Sequence, residues 1–198
     1  MIYWFDLFGT VIFALTGLLA AKDKKLDWYG GMVLAMVTAI GGGTFRDITL
    51  GNTPVFWMRD ASYMWVIVIT CLLATPLISR ISMPGRWLVW SDAFGLALFN
   101  VIGCKVALNA GMAPIIAVFL GVATGTFGGM IRDLIINEIP LVLQKEIYAT
   151  AALLGGLTFI SLSALDLPTG TAECAAIAVC FVVRILAINK HWSLPKFD

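Results

Sequence analysis

The sequence predicts an all-α membrane protein of seven transmembrane helices, arranged as two inverted three-helix repeats plus one extra helix. Three observations predict it. First, the 198 residues are 60% hydrophobic and 13% charged, with a mean hydropathy of +0.94. A soluble domain is nearer half apolar and about a quarter charged. Second, seven stretches approach the about 20 apolar residues that a bilayer-spanning helix needs. Third, positions 6–76 lie on 92–162 at a constant offset of 86 without gaps. Asp6 falls on Asp92, Phe13 on Phe99, Gly17 on Gly103 and Thr38 on Thr124. Gly42-Gly43 fall on Gly128-Gly129, Arg46-Asp47 on Arg132-Asp133 and Pro54 on Pro140. Each copy holds three apolar stretches, so the second begins on the opposite side of the membrane, as in solute-moving proteins built from inverted repeats.

The elements follow in order. The first span, 3–21, lacks the basic flank of a cleavable signal, so it is expected to be a retained helix. After Lys22–Asp27 the second span, 28–50, runs into a glycine-rich stretch. Gly51–Asp60 leads to the third, 61–81, and Ser82–Arg86 to the fourth, 87–109. Asn109–Met112 separates it from the fifth, 112–135. Asn137–Glu146 precedes the sixth, 147–165, and Asp166–Gly170 the seventh, 170–189, which has no copy in either repeat. The chain is thus one transmembrane domain over 1–198, with repeat one at 3–81, repeat two at 87–165 and the seventh helix at 170–189. Six of the tryptophans (Trp4, Trp28, Trp57, Trp87, Trp90 and Trp192) cluster near span ends, as interface aromatics do.

Basic residues set the orientation. With the N-terminus outside, the cytoplasmic segments hold Lys22, Lys24, Lys25, Arg80, Arg86, Arg132, Lys145, Lys190 and Lys196, while the outer ones hold Arg46 and Arg59. The positive-inside rule therefore places the N-terminus outside and the C-terminus in the cytoplasm. A net charge of +1 argues against a nucleic-acid partner. The four cysteines lie in apolar stretches without metal-ligand spacing, and His191 is the only histidine. Nucleophile, Walker-loop and zinc-protease motifs are absent, so no enzyme and no cofactor are expected.

Two signals carry chemistry. The second span contains Thr38 and Gly41-Gly42-Gly43, and the fifth contains Thr124 and Gly128-Gly129. Glycine costs about 1 kcal/mol against alanine inside a helix. Runs at membrane depth predict a bend or break in the helix, with any freed carbonyls buried in protein or facing a wet cavity. Close helix packing is the alternative, since Gly121, Gly125 and Gly129 have small-xxx-small spacing. The second signal is charge. Arg46, Asp47, Arg132 and Asp133 sit near span ends, where each needs a partner or water. Neighbouring helical residues do not face each other, so the expected structural pairs are Asp6 with Arg46 and Asp92 with Arg132. Lys105, amid the apolar fourth span, is a candidate for the ion path, with Glu173 as a partner and snorkelling as the alternative. Arg184 reads as a snorkelling or interhelical residue.

At these residues the chain resembles a known family. Gly-Gly-Gly-Thr-Phe-Arg-Asp (41–47), echoed by Gly-Gly-Met-Ile-Arg-Asp (128–133), looks like the bacterial branch of the trimeric intracellular cation (TRIC) channels, also labelled the glycine transporter domain family. The resemblance implies a homotrimer in membrane lipid, with a pore in each subunit lined by spans one, two, four and five. It implies helices kinked at the glycines, transported K⁺ or Na⁺, and a role for Lys105. The expected function is a monovalent-cation channel. Its path would run past Thr38, Gly41, Gly42, Gly43, Lys105, Thr124, Gly128 and Gly129, where K⁺ or Na⁺ is held transiently and bound lipid is admitted as a further ligand. The alternative is a secondary transporter of glycine or another small amino acid, with half-helix ends holding a carboxylate. A non-transporting scaffold is the third class.

Overall fold

The computed structural model describes residues 2–80, 86–144, 147–165, 167–190 and 192. Ile81, Lys145, Glu146, Asp166, His191 and Lys196, all invoked above, lie outside them, as does most of the Ser82–Arg86 connection.

The described residues are all-helical. Their order is α1 (Ile2–Asp23), α2 (Trp28–Thr49), α3 (Phe56–Arg59), α4 (Ser62–Arg80), α5 (Arg86–Asn109), α6 (Pro114–Ile135), α7 (Leu141–Gln144), α8 (Ala149–Ala164) and α9 (Thr169–Lys190). Helix α2 starts where the Asp27 carboxylate caps the Gly30 N–H. Pro114 opens α6, a position that needs no N–H. Gly51 and Gly111, at φ +70° and +77°, carry the chain out of α2 and α5 in the left-handed region that glycine tolerates.

Four helices are long and apolar enough to cross a membrane: Tyr3–Asp23, Arg86–Asn109, Pro114–Ile135 and Gly170–Lys190. Ser62–Ile78 and Ala149–Ala164 are apolar but shorter. Helix α2 has the length, at 22 residues, but its glycines, threonines, Arg46 and Asp47 dilute its apolar character. By length and composition, then, four of the seven expected spans qualify.

Helices α1, α2, α6 and α5 form a ring. Each packs against the next, while the diagonals α1/α6 and α2/α5 barely touch. Helix α4 lies against α1 and α2, and α8 and α9 lie against α5 and each other. One core joins Phe13, Leu18, Ala35 and Ile40 with Ile67 of α4 and Phe99 of α5. A second joins Leu96 and Ala97 with Ala151, Ala152 and Cys180.

Candidate functional site

Glycine allows helices of this ring to touch backbone to backbone. A Cβ on Gly17 would lie 2.6 Å from the Ala35 Cα, and one on Gly103 would lie 2.9 Å from the Gly121 Cα. At the α2–α6 crossing, a Cβ on Gly42 would meet the Thr124 carbonyl oxygen at 1.9 Å, and one on Gly128 the Thr38 carbonyl oxygen at 2.2 Å. These two contacts exchange under the 86-residue offset. Between α1 and α5, Phe13 stacks on Phe99 with centroids 5.0 Å apart. Its ring fills the space over Gly95, as Phe99 does over Gly9.

The glycine runs do not break their helices: α2 and α6 are continuous α-helix through Gly41–Gly43 and Gly128-Gly129. The physical reason is twofold. The small residues gain close interhelical contact that offsets their low propensity. A broken turn in hydrocarbon would also strand carbonyls at a cost of several kcal/mol each. The hydroxyls of Thr38 and Thr124 donate to the carbonyls of Leu34 and Leu120, both at 2.6 Å, which keeps their protons within the helix.

The other expected path residues lie around this crossing. Gly41 abuts Ile131 and Gly128. Gly43 faces away from α6, toward the Phe56 ring of α3. Gly129 faces the Asp92 carboxylate. Lys105 is ion-paired with Glu173, which joins α5 to α9 near Phe5.

Two buried charge clusters sit at opposite ends of the ring. In the first, Arg46 Nε donates to Asp47 Oδ1 at 2.8 Å, and Asp47 Oδ2 accepts the Phe56 N–H at 2.8 Å. The Arg46 guanidinium carbon stands 5.5 Å from the Phe56 ring centroid. Asp6 Oδ2 accepts from the Tyr63 hydroxyl at 2.9 Å, and Asp6 Oδ1 has no hydrogen-bond partner among the described residues. In the second cluster, Arg132 Nε donates to Asp133 Oδ1 at 2.8 Å and Nη1 donates to Asp92 Oδ1 at 2.9 Å. Asp133 Oδ2 accepts the Leu141 N–H at 3.0 Å, and Asp92 Oδ2 accepts the Tyr148 hydroxyl at 2.5 Å. Arg184 of α9 lies over the Tyr148 ring, its guanidinium carbon 4.7 Å from the centroid.

This wiring corrects the expected pairing. Among the described residues Arg46 makes no ion pair with Asp6; it holds its own neighbour, Asp47. Consecutive residues do meet here because the long Arg side chain can fold back at the helix end, where Asp47 turns toward α3. The two aspartates of the repeated motif cap the first N–H of a single-turn helix, α3 or α7. Neither helix was foreseen.

Tyr63 and Tyr148 were also missed. They follow their aspartates by 57 and 56 residues, so a gapless offset of 86 slides one past the other. The same one-residue slip separates Phe56 from Leu141. At the surface, Tyr3 donates to Asp60 Oδ2 at 2.8 Å. Together with the Ser62 backbone N–H, the larger influence, it holds the Asp60 carboxyl below the usual range. Opposite, Lys24 after α1 is ion-paired with Glu138 after α6.

The chain is similar to known proteins over nearly its full length. The family model described as "Glycine transporter" matches residues 3–78 and again 89–164. A UPF0126 membrane protein of Vibrio cholerae is 46% identical over 198 residues, covering 100% of this chain and 83% of that protein. The UPF0126 inner membrane protein YadS of Escherichia coli is 41% identical, covering 100% and 96%. Among solved structures, a TRIC trimeric intracellular cation channel orthologue from Rhodobacter sphaeroides superposes with a TM-score of 0.92 at 41% identity, covering 96% of this chain and 98% of that one. A prokaryotic TRIC channel in 0.5 M KCl superposes with a TM-score of 0.90 at 31% identity, covering 98% of each.

Proposed function

This chain belongs to the glycine transporter family, the bacterial branch of the TRIC channels, and on that premise we propose that it is a monovalent-cation channel that passes K⁺ or Na⁺ passively through each subunit. The observation that carries the reading is the likeness to a TRIC orthologue over 96% of the chain. An enzymatic reading has no such support.

The proposed path runs along the axis of the α1–α2–α6–α5 ring, across which the diagonal helices barely touch. Its constriction is the α2–α6 crossing at Thr38, Gly41, Gly42, Thr124 and Gly128. Backbones in contact leave no room for a hydrated ion, so conduction requires α2 and α6 to part there. The carbonyls of Thr38 and Thr124 then replace part of the ion's hydration shell. Gly43, Gly129 and Lys105 act beside this constriction. No filter of the strongly K⁺-selective kind is present, so both ions pass.

The proposed architecture is seven spans: two inverted repeats, 3–81 and 87–165, and a seventh helix at 170–189. The N-terminus is outside and the C-terminus in the cytoplasm of the inner membrane. The assembly is a homotrimer, as in the TRIC trimer named above. The family's description supports a second reading, a carrier of glycine. The unbroken α2 and α6 weigh against it, because they offer no half-helix N-terminus to hold a substrate carboxylate.

Planar-bilayer recording of the purified protein tests the proposal. Unitary steps in KCl without amino acid are expected. Silent membranes together with saturable, ion-coupled glycine uptake into vesicles would replace it with the carrier.

A further inference from the structure

The two charged clusters contain the same residue types but reach different electrostatic ends. At the Arg132 end, both Asp92 oxygens are engaged and a fourth charge, Arg184, arrives from α9. Two acids face two bases. At the Arg46 end no described residue plays the part of Arg184, so Asp6, Asp47 and Arg46 leave one net negative charge. That deficit coincides with an open ligand position. Asp6 is 7% exposed, and its Oδ1 is buried with no hydrogen-bond partner among the described residues. An isolated buried carboxylate is costly and is normally paired or metal-bound. Water would satisfy the oxygen but leave the charge.

We propose that Asp6 Oδ1 is the principal ligand of a monovalent-cation site for K⁺ or Na⁺ at the outer end of the ring. One charge matches the deficit, whereas a divalent ion would invert it. The Tyr63 hydroxyl donates its proton to Asp6 Oδ2, which fixes the carboxylate and leaves the hydroxyl oxygen able to accept. A chain of contacts links Asp6 to the surface. Asp60 accepts from Tyr3, and the Tyr3 and Tyr63 rings stand 6.3 Å apart, edge to face. Repeat two has Val89 where repeat one has Tyr3, so only this end carries the two-tyrosine approach. The site's role as the outer loading position of the path rests on the channel reading; binding itself does not.

The test is thermal unfolding of the full-length protein in lipid nanodiscs at neutral pH, in KCl or NaCl against choline chloride at matched concentration. A ligand bound only by the folded state raises the midpoint, and at 198 residues each kcal/mol of linkage is worth about 2–4 °C. The wild type is expected to gain at least about 2 °C, saturably, in K⁺ or Na⁺. Asp6→Asn is expected to lose the gain, and Asp23→Asn, at the opposite end of α1, to retain it. A wild type indifferent to K⁺ and Na⁺, including one that responds to pH alone, overturns the site, as does an Asp6→Asn protein that keeps the full gain. Should Asp6→Asn fail to fold, Tyr63→Phe decides: the cation concentration giving half the gain is expected to rise several-fold, and an unchanged value overturns the site. Protein that gains stability from K⁺ but passes no current keeps the site and loses the channel. Currents without a cation-specific gain do the reverse.

Discussion

The Arg132 cluster and the Arg46 cluster are written with the same letters and wired differently. Arg132 grips two carboxylates, Asp92 and Asp133, while Arg46 grips one, Asp47. Asp92 is closed on both oxygens and Asp6 on one. A duplicated motif therefore does not guarantee duplicated contacts. One residue of slip and one appended helix are enough to convert a closed ion network into an open one. We read the closed cluster as a structural anchor and the open one as the functional end of the molecule.

The largest expected effect separates these roles. Arg132→Gln breaks the ion pairs to two buried carboxylates, Asp92 and Asp133, which costs about 3–5 kcal/mol. Arg46→Gln removes one charged hydrogen bond beside Asp47, about 1.5–3 kcal/mol. Unfolding midpoints of the two purified proteins check this, and equal losses would break the comparison. Next, a double-mutant cycle on Asp92→Asn and Arg132→Gln should show coupling above about 0.5 kcal/mol, and the cycle on Asp6→Asn and Arg46→Gln, which share no ion pair, should show the smaller coupling of the two.

The glycine crossing sharpens the comparison from the symmetric side. Gly42→Ala and Gly128→Ala each push a methyl into a facing carbonyl. Both should lose about 1–3 kcal/mol, the range of overpacked cores, and by similar amounts. A neutral result in a folded oligomer would mean that the helices are not in contact there. The smallest effect belongs to the capping aspartates. In Asp47→Asn and Asp133→Asn the amide oxygen still accepts the Phe56 or Leu141 N–H, and only the charge is lost. The helix-terminus term is about 0.3–1 kcal/mol, to which each variant adds the weakened pair with its own arginine, Arg46 or Arg132.

Much of this was legible in the sequence. Among the described residues, seven long helices start and end within a few residues of the apolar stretches, because polar and breaker residues mark the ends of an apolar helix. Thr38, Gly42, Thr124 and Gly128 were legible as repeat mates because they obey the offset, but their meeting at the α2–α6 crossing was not. The helix break was misread: glycine propensity, measured in water, was applied where packing and lipid decide. Helices α3 and α7 were invisible because a four-residue turn shows no periodicity. Arg46 was assigned to Asp6 by topology alone, which ignores how far a guanidinium can fold back on its own helix. Tyr63 and Tyr148 were hidden by treating the repeat as gapless.

The central claim is passive cation conduction, and single-channel recording in planar bilayers tests it most directly. With KCl on both sides and no amino acid present, the account predicts unitary steps whose reversal follows the K⁺ gradient when one side is diluted. Electrically silent protein that accumulates glycine saturably against a proton or sodium gradient would contradict it.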